Sequence, residues 1–149
     1  MKRDDLVASA SLLAQPSAAA AAEYAARRDA LAAELNRRMI ERSDLVRLIG
    51  EGNGPMMEDN HRNHARFMAA VFAHYSPEVL VDTVLWVFRA YRSHGFRLAY
   101  WPAQLDSWVE LLREKLSPGA FSEIYPFYDW LIVNQPAFAL LTDPAAQQT

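Results

Sequence analysis

The sequence predicts an all-α protein of about six helices with a long N-terminal helix, and three observations support that fold class. Long segments repeat apolar residues at helical spacing, and Ser-Pro pairs and glycines separate those segments. Nowhere do apolar and polar residues alternate as they do in a half-buried strand. With 149 residues, of which 52% are hydrophobic, the chain is long and apolar enough for one domain with a single core.

The composition excludes several classes of protein. The chain has no cysteine, which excludes disulfide scaffolds, zinc–thiolate sites, iron–sulfur clusters and cysteine nucleophiles. A net charge of −3 argues against sequence-independent binding of nucleic acid. No apolar run reaches the roughly 18 residues of a membrane span, and Asp4 and Asp5 interrupt the positive start of a secretory signal. We therefore expect a cytoplasmic protein that binds neither nucleic acid nor a membrane.

The N-terminal third begins with a short segment and continues with a long helical one. Residues 1–16 are predicted as an extension or a short helix that stops at Pro16, and residues 17–49 are rich in strong helix formers. One apolar stripe follows the second segment: Tyr24, Leu31, Leu35, Met39, Val46 and Ile49. The segment forms either one rod or two pieces. Because a rod of that length exceeds what a domain of this size needs, we predict that part of the stripe meets a second copy in a homodimer.

Gly50–Pro55 is the strongest break in the chain, since it holds three of the five glycines. It lacks the Gly-Lys-Ser/Thr end of a phosphate-binding loop, so we interpret it as a connection between helices. The predicted helices after it run from about Met57 to Tyr75, from Pro77 to His94, from about Pro102 to Leu116, and from Pro118 onward. The helical domain is thus predicted over 17–142, and a polar tail over 143–149.

Two of these helices carry more specific predictions. The helix after Ser76-Pro77 is apolar on nearly every side, which predicts that it lies buried at the centre of the fold. The residues expected in the core there are Leu80, Val84, Leu85, Trp86 and Phe88. In the last helix Pro126 predicts a kink, and Pro136 predicts an end or a second kink.

Histidines and aromatic residues supply the candidate site. His61 and His64 share one helix face, and Glu58 stands three residues before His61, a spacing used in di-iron helical bundles. No second motif of that kind occurs, and no serine has a Gly-x-Ser-x-Gly context, so we do not predict an enzyme. Hydrogen-bonded structural histidines are the favoured interpretation, with a pocket-lining role left open. The predicted pocket residues are His61, His64, Met68, Phe72, Tyr91, His94 and Trp108.

The order of helices, glycines and aromatic residues in the second half of the chain supports a family resemblance. Gly95-Phe96 follows a helix, Tyr100 comes four residues on, and the amphipathic stretch Leu105–Leu116 leads to Ser117-Pro118 and an aromatic last helix with Trp130. This order resembles the late helices of the globin superfamily. Arg89-Ala90-x-x-x-Gly95 is similar to a corner in the non-haem globin sensor domains of RsbR-type stressosome proteins. The resemblance covers about residues 57–135 and implies a globin-like domain.

The resemblance implies a non-enzymatic sensor domain that signals through helix packing to a downstream signalling protein and binds no cofactor. Haem globins carry their iron-binding histidine four residues before the corner glycine, where this chain has Tyr91. Because a phenolate can ligate haem iron, a haem- or tetrapyrrole-binding globin that uses Tyr91 and His64 is the alternative. A helical-bundle metal or redox protein that uses Glu58, His61 and His64 is the second alternative. We predict that Tyr91 instead fills volume beside a small apolar ligand pocket.

Overall fold

The computed structural model describes residues 2–145, and all regular secondary structure in that range is helical. The eight helices are α1 Arg3–Ala10, α2 Ala18–Ile40, α3 Leu45–Ile49, α4 Gly54–Ala73, α5 Pro77–Ser93, α6 Tyr100–Lys115, α7 Pro118–Val133 and α8 Gln135–Leu141. The all-α prediction is confirmed, with more helices than the six expected. Residues 146–149, most of the predicted tail, lie outside the described residues.

The N-terminal segment belongs to the same packed body as the rest of the chain. The Arg3 guanidinium donates two hydrogen bonds to the Asp82 carboxylate on α5, at 2.7 and 2.9 Å. On the inner face of α1, Leu6 and Ala10 are fully buried. The indole N–H of Trp130 on α7 donates to Ser9 Oγ at 2.9 Å. α1 is therefore a short helix that covers one end of the core.

The predicted long N-terminal helix is two pieces, because α2 ends at Ile40 and α3 starts again at Leu45. α2 packs more extensively against α4 than against any other helix described. The stripe of Tyr24, Leu31, Leu35, Met39 and Ile49 is buried inside the chain, and only Val46, 56% exposed, faces outward. The argument that this stripe needs a second copy was therefore wrong, because α4 and the rest of the core cover it.

Two serine–glutamate pairs join α2 and α7 reciprocally. Ser17, the N-cap of α2, donates from its backbone N–H and its hydroxyl to the Glu123 carboxylate at 2.8 and 2.9 Å. Ser117, the N-cap of α7, donates in the same way to Glu23 at 2.7 and 2.8 Å. Each serine also accepts a backbone N–H of its own helix. The same two residues thus start a helix and connect it to its neighbour.

The Gly50 break forms a turn that contacts the corner after α5. Gly50 has a φ of +87°, which only glycine adopts without strain, and it closes α3. The Asn53 amide donates to the carbonyls of Ile49, at 2.7 Å, and His94, at 2.9 Å. Gly95, with φ +96°, follows His94, the C-cap of α5, so a glycine stands directly after the predicted end of this helix at His94. The expected connection between helices is confirmed, and it ties two corners together.

α5 corrects the prediction of a helix buried on every side. Leu80, Leu85 and Phe88 are buried as predicted, but Trp86 is 66% exposed and Val84 is half-buried. Positions 79, 82, 86 and 89 fall on one helical stripe and are all exposed. α5 lies at the side of the bundle, against α1 and α8. On this outer stripe Val79 and Trp86 are apolar and exposed, whereas Asp82 accepts from Arg3 and Arg89 donates to the Leu141 carbonyl.

The proline positions of the C-terminal region act differently from each other. Pro126 lies inside α7, which remains helical from Pro118 to Val133. The chain leaves the helix at Asn134, and Pro136 then occupies the first turn of α8. The predicted end near Pro136 is thus confirmed as a break between two helices. No helix within residues 2–145 combines the length and the hydropathy that a membrane crossing requires.

Candidate functional site

A cavity of about 270 Å³ lies between α4, α5 and α6, with α7 and α8 closing one side. Its apolar wall consists of Phe67 and Met68 from α4, Val84, Val87 and Phe88 from α5, Leu105 from α6 and Leu131 from α7. Two further lining residues, Asn63 and Trp86, are exposed, so the cavity reaches the surface beside them. Its volume lies just below the usual range of small-molecule pockets, which is about 300–1,000 Å³.

The structure divides the seven predicted pocket residues into three groups. His64, Met68 and Tyr91 line the cavity. His61, Phe72 and Trp108 are fully buried but lie in the core away from it. His94 is exposed after the end of α5 and is not among the residues that line the cavity. His94 is the C-cap of α5, where the helix dipole favours a cation, and its carbonyl accepts from the Asn53 amide.

A buried chain of hydroxyl groups ends at His64 on the cavity wall. The Tyr24 and Tyr128 hydroxyl oxygens are 2.9 Å apart, and Tyr128 Oη lies 2.9 Å from His64 Nε2. Tyr24 has no other hydrogen-bond partner in the described chain, so its O–H donates to Tyr128. Tyr128 then donates to His64 Nε2, which leaves the His64 proton on Nδ1. Desolvation by burial lowers the pKa of His64 to about 3, so the ring is neutral.

His61 belongs to a separate network in the core. Its Nδ1 lies 2.5 Å from Asn36 Oδ1, and its Nε2 lies 2.9 Å from the Tyr100 hydroxyl. The Tyr100 hydroxyl oxygen also lies 2.8 Å from Asn60 Oδ1. Burial, with smaller contributions from the nearby His64 and Arg62, lowers the pKa of His61 to about 3. Both ring nitrogens are engaged, which matches the predicted structural role of a hydrogen-bonded histidine.

Three buried polar groups on α6 have no hydrogen-bond partner in the described chain: Trp101 Nε1, Gln104 Oε1 and Trp108 Nε1. Of these three residues, Trp101 and Gln104 also line the cavity. Trp101 Nε1–H and Gln104 Oε1 have no hydrogen bond within residues 2–145, although Trp101 is 4% exposed and Gln104 only 2%. The two residues are three apart on one helix, so they share a face. Buried polar groups normally have a partner. Sequence reasoning missed both residues, because a Trp and a Gln on an amphipathic helix carry no signal of their own.

The residues that a haem group would use do not suit it. Tyr91 and His64 both line the cavity, as the haem alternative requires. Burial, however, raises the pKa of Tyr91. The two arginines next to it in the sequence of α5 donate to other groups: Arg92 to Ala139 and Thr142, and Arg89 to the Leu141 carbonyl. A phenol without a cation stays protonated at neutral pH. His64 Nε2 is already bonded to Tyr128.

The positions of the residues do not support the metal-binding alternative either. Within the described range, no three His, Asp or Glu side chains converge where they could hold a metal ion. His61 and His64 share a helix face, but their hydrogen bonds point to Tyr100 and Tyr128 respectively. Glu58 is not a cavity residue. The Glu-x-x-His spacing therefore brings together no set of ligands.

A second depression of about 320 Å³ lies between α2 and α6. Charged side chains, among them Arg27, Glu34 and Lys115, make up half of its lining, and Glu34 is already paired with Arg37 and Arg38. It contains none of the unpartnered buried groups. We regard it as a surface groove and take the apolar cavity as the candidate site.

Comparisons with known proteins do not assign this chain to a family. No protein-family model, no curated protein and no solved structure matches the chain. The globin resemblance of about residues 57–135 therefore stays a prediction from the sequence.

Proposed function

We propose that this chain is a non-enzymatic sensor or regulatory domain that binds a small, largely apolar molecule in the cavity between α4, α5 and α6. The observation that carries the proposal is the cavity itself, about 270 Å³ with a mainly aromatic and aliphatic wall. An empty apolar cavity of 150 Å³ is enough to bind benzene, so a ligand somewhat larger than benzene fits this one.

Binding, rather than catalysis, agrees with the state of His64. A general base works best with a pKa near the operating pH, whereas burial lowers the pKa of His64 to about 3. Its Nε2 is bonded to the Tyr128 hydroxyl and not to a nucleophile. On this proposal the hydrogen bonds between Tyr24, Tyr128 and His64 hold the neutral His64 ring in place at the cavity wall that contacts the ligand.

α5 supplies a route from the cavity to the outside. Trp86 lines the cavity and is also 66% exposed, and Val79 on the same outer stripe is 54% exposed. A ligand that displaces Val84 or Val87 shifts α5 against α1 and α8, and the outer stripe moves with it. We propose that a downstream signalling protein detects this change in helix packing.

The test uses toluene as a probe and fills the cavity by mutation. We expect toluene to raise the melting temperature of the wild-type protein, since ligands that bind only the folded state stabilise it. Val84→Phe places a ring in the cavity and removes the effect. Val79→Phe makes the same change on the exposed face of the same helix and leaves the effect unchanged. If toluene stabilises neither the wild-type protein nor the control, the cavity is not a ligand site.

The haem-binding alternative retains one supporting observation, the presence of Tyr91 and His64 on one cavity wall. We propose that the protein folds and functions without haem, because Tyr91 lacks the nearby cation that would favour its phenolate. A titration of the purified protein with hemin tests this. We expect no sharp Soret band; stoichiometric binding that Tyr91→Phe abolishes would establish the haem alternative instead.

A further inference from the structure

The Gly50–Pro55 turn contains the only asparagine in the sequence that a glycine follows. The sequence has five asparagines, and of these only Asn53 precedes a glycine, Gly54. Asparagine is a thermolabile residue, because the backbone nitrogen of the next residue can attack its side-chain amide carbon. A following glycine has no Cβ to hinder that attack. The sequence therefore singles out Asn53 for deamidation.

The structure leaves the attacking nitrogen free and holds the amide that it would attack. The Gly54 backbone N–H forms no hydrogen bond within residues 2–145, as is usual for the first residue of a helix. The Asn53 amide, which is partly exposed, donates to the carbonyls of Ile49 and His94. Ring closure also requires the Asn53 backbone to rotate from its ψ of 8°. The reaction therefore waits for a local opening of the turn.

The two hydrogen bonds of the Asn53 amide also join the turn to the corner after α5. Ile49 is the last residue of α3, and His94 is the C-cap of α5. One backbone hydrogen bond, from Arg97 N–H to the Leu48 carbonyl at 2.8 Å, joins the same two segments. A carboxylate at position 53 has no N–H to donate and places a negative charge against two carbonyl oxygens. Deamidation therefore turns two attractive contacts into repulsive ones.

We propose that Asn53 is a deamidation site and that its conversion permanently loosens the contact between the Gly50–Pro55 turn and the corner after α5. This inference goes beyond the proposed ligand site and does not depend on it. Because α5 borders the cavity, the modification acts on the end of the helix that we propose to carry the signal.

The reaction needs water and no other reagent. A bond forms between the Gly54 backbone nitrogen and Asn53 Cγ, and the side-chain nitrogen leaves as ammonia together with the proton of the Gly54 nitrogen. The product is a five-membered imide. Water then adds to one of its two carbonyl carbons and breaks the bond from that carbon to nitrogen. Aspartate or isoaspartate remains at position 53, with one added negative charge.

Peptide mapping by mass spectrometry tests the site in protein aged in mildly alkaline buffer. We expect conversion at Asn53 while the other four asparagines stay intact, and several-fold faster conversion in urea, where the turn is open. Gly54→Ala is the matched variant. Gly54 has no positive φ, and a Cβ there meets no atom within 4 Å, so the fold should be kept while conversion slows several-fold.

Two results of this mapping would overturn the proposed site. One is an Asn53 that stays intact in the folded protein through many half-lives of the urea-unfolded chain. The other is conversion of Gly54→Ala as fast as that of the wild-type protein.

A second experiment tests the loosening. Asn53→Asp carries one of the two products from the start and should lower the melting temperature by about 2–8 °C. Asn63→Asp makes the same change at an exposed position of α4, where the amide forms no hydrogen bond in the described part of the chain, and should leave the melting temperature nearly unchanged. Equal melting temperatures of Asn53→Asp and the wild-type protein would overturn the loosening and leave the modification site standing.

The aged wild-type protein repeats this comparison without a substitution, in case Asn53→Asp does not fold. Ion exchange separates the converted fraction, because it carries one more negative charge than the intact protein. We expect the converted fraction to melt at the lower temperature, and equal melting of the two fractions would overturn the loosening.

Discussion

At the scale of single residues, the two histidines of α4 have similar pKa values and different surroundings. His61 lies among Asn36, Asn60 and Tyr100 in the core, and His64 lies between Tyr128 and the cavity. In both, desolvation opposes the charged form and lowers the pKa to about 3. The fold therefore holds two neutral imidazoles that the unfolded chain would protonate near pH 6.5.

This difference predicts how stability depends on pH. Above about pH 6.5 both states are neutral at these histidines; below it the unfolded state takes up protons that the folded state does not. The free energy of unfolding should therefore fall between pH 7 and pH 5, by at most about 2 kcal/mol per histidine. Urea unfolding at several pH values measures it.

A substitution identifies the groups responsible for that pH dependence. His64→Gln should remove roughly half of the slope, and His61→Gln should remove a similar share. The carboxylates with lowered pKa values, such as Glu23 and Glu34, lose their stabilising effect only below their ordinary value of 4.5. A stability that is flat from pH 7 to pH 5 would contradict the prediction.

The hydroxyl chain gives a second prediction at this scale. Tyr128→Phe leaves the Tyr24 hydroxyl and His64 Nε2 without a partner, and a buried polar group without a partner costs about 1–3 kcal/mol. Tyr125→Phe is the matched control on the same helix, because its hydroxyl forms no hydrogen bond within residues 2–145. Chemical denaturation compares the two variants. Equal stabilities would mean that the hydroxyl chain adds nothing to the fold.

At the scale of elements, α5 shows that an apolar sequence does not fix which face is buried. Leu85 and Val79 lie on different faces of the helix, with exposures of 4% and 54%. Both are aliphatic residues, and the residues from Val79 to Phe88 are mostly apolar. The difference arises because α1 and α8 pack on α5 and leave the stripe of Val79 and Trp86 uncovered.

Alanine substitutions on α5 test this difference. Leu85→Ala should cost about 2–5 kcal/mol, since it removes buried methyl groups and leaves a cavity behind. Val79→Ala should change stability by no more than about 0.5 kcal/mol, as surface substitutions do. Thermal or urea unfolding of the two variants provides the comparison. Similar losses in both would show that the outer face of α5 is covered in solution.

At the scale of the whole molecule, the apolar stripe of the N-terminal third is buried almost entirely by other residues of the same chain. Tyr24, Leu31, Leu35 and Met39 are at most 2% exposed, in a core that α4 completes. Val46 is the exposed member of that stripe, and the other exposed apolar residues include Trp86, Val133 and Leu140. The uncovered apolar stripe from which the homodimer was predicted is therefore not present in this structure.

This packing predicts the mass of the protein in solution. Light scattering at micromolar concentration should give about the chain mass of 16.9 kDa. The result that would restore the homodimer is twice that mass, with dissociation on substitution of Trp86 by Ser. In that case the outer face of α5, and not the stripe of α2, forms the interface.

The sequence predicted the fold class, most helix boundaries and part of the site. Of the seven predicted pocket residues, His64, Met68 and Tyr91 line the cavity, because they lie on the inner faces of α4 and α5 that apolar periodicity identifies. His61 and Trp108 share such faces but are taken up by other contacts in the core. Gln104 and Trp101, two of the three residues with unpartnered groups, were missed because a missing partner is visible only in three dimensions.

The sequence by itself determined what depends on near neighbours in the chain. Ser17, Ser76 and Ser117 start helices by accepting an N–H three residues on, and Gly50 and Gly95 end them through a positive φ. Only the tertiary structure decided which side of α5 faces solvent, and that residues of α4 and α6 distant in sequence border one cavity with α5. Those features depend on how the helices pack, and equally apolar faces leave that choice to the fit of side chains across the whole core.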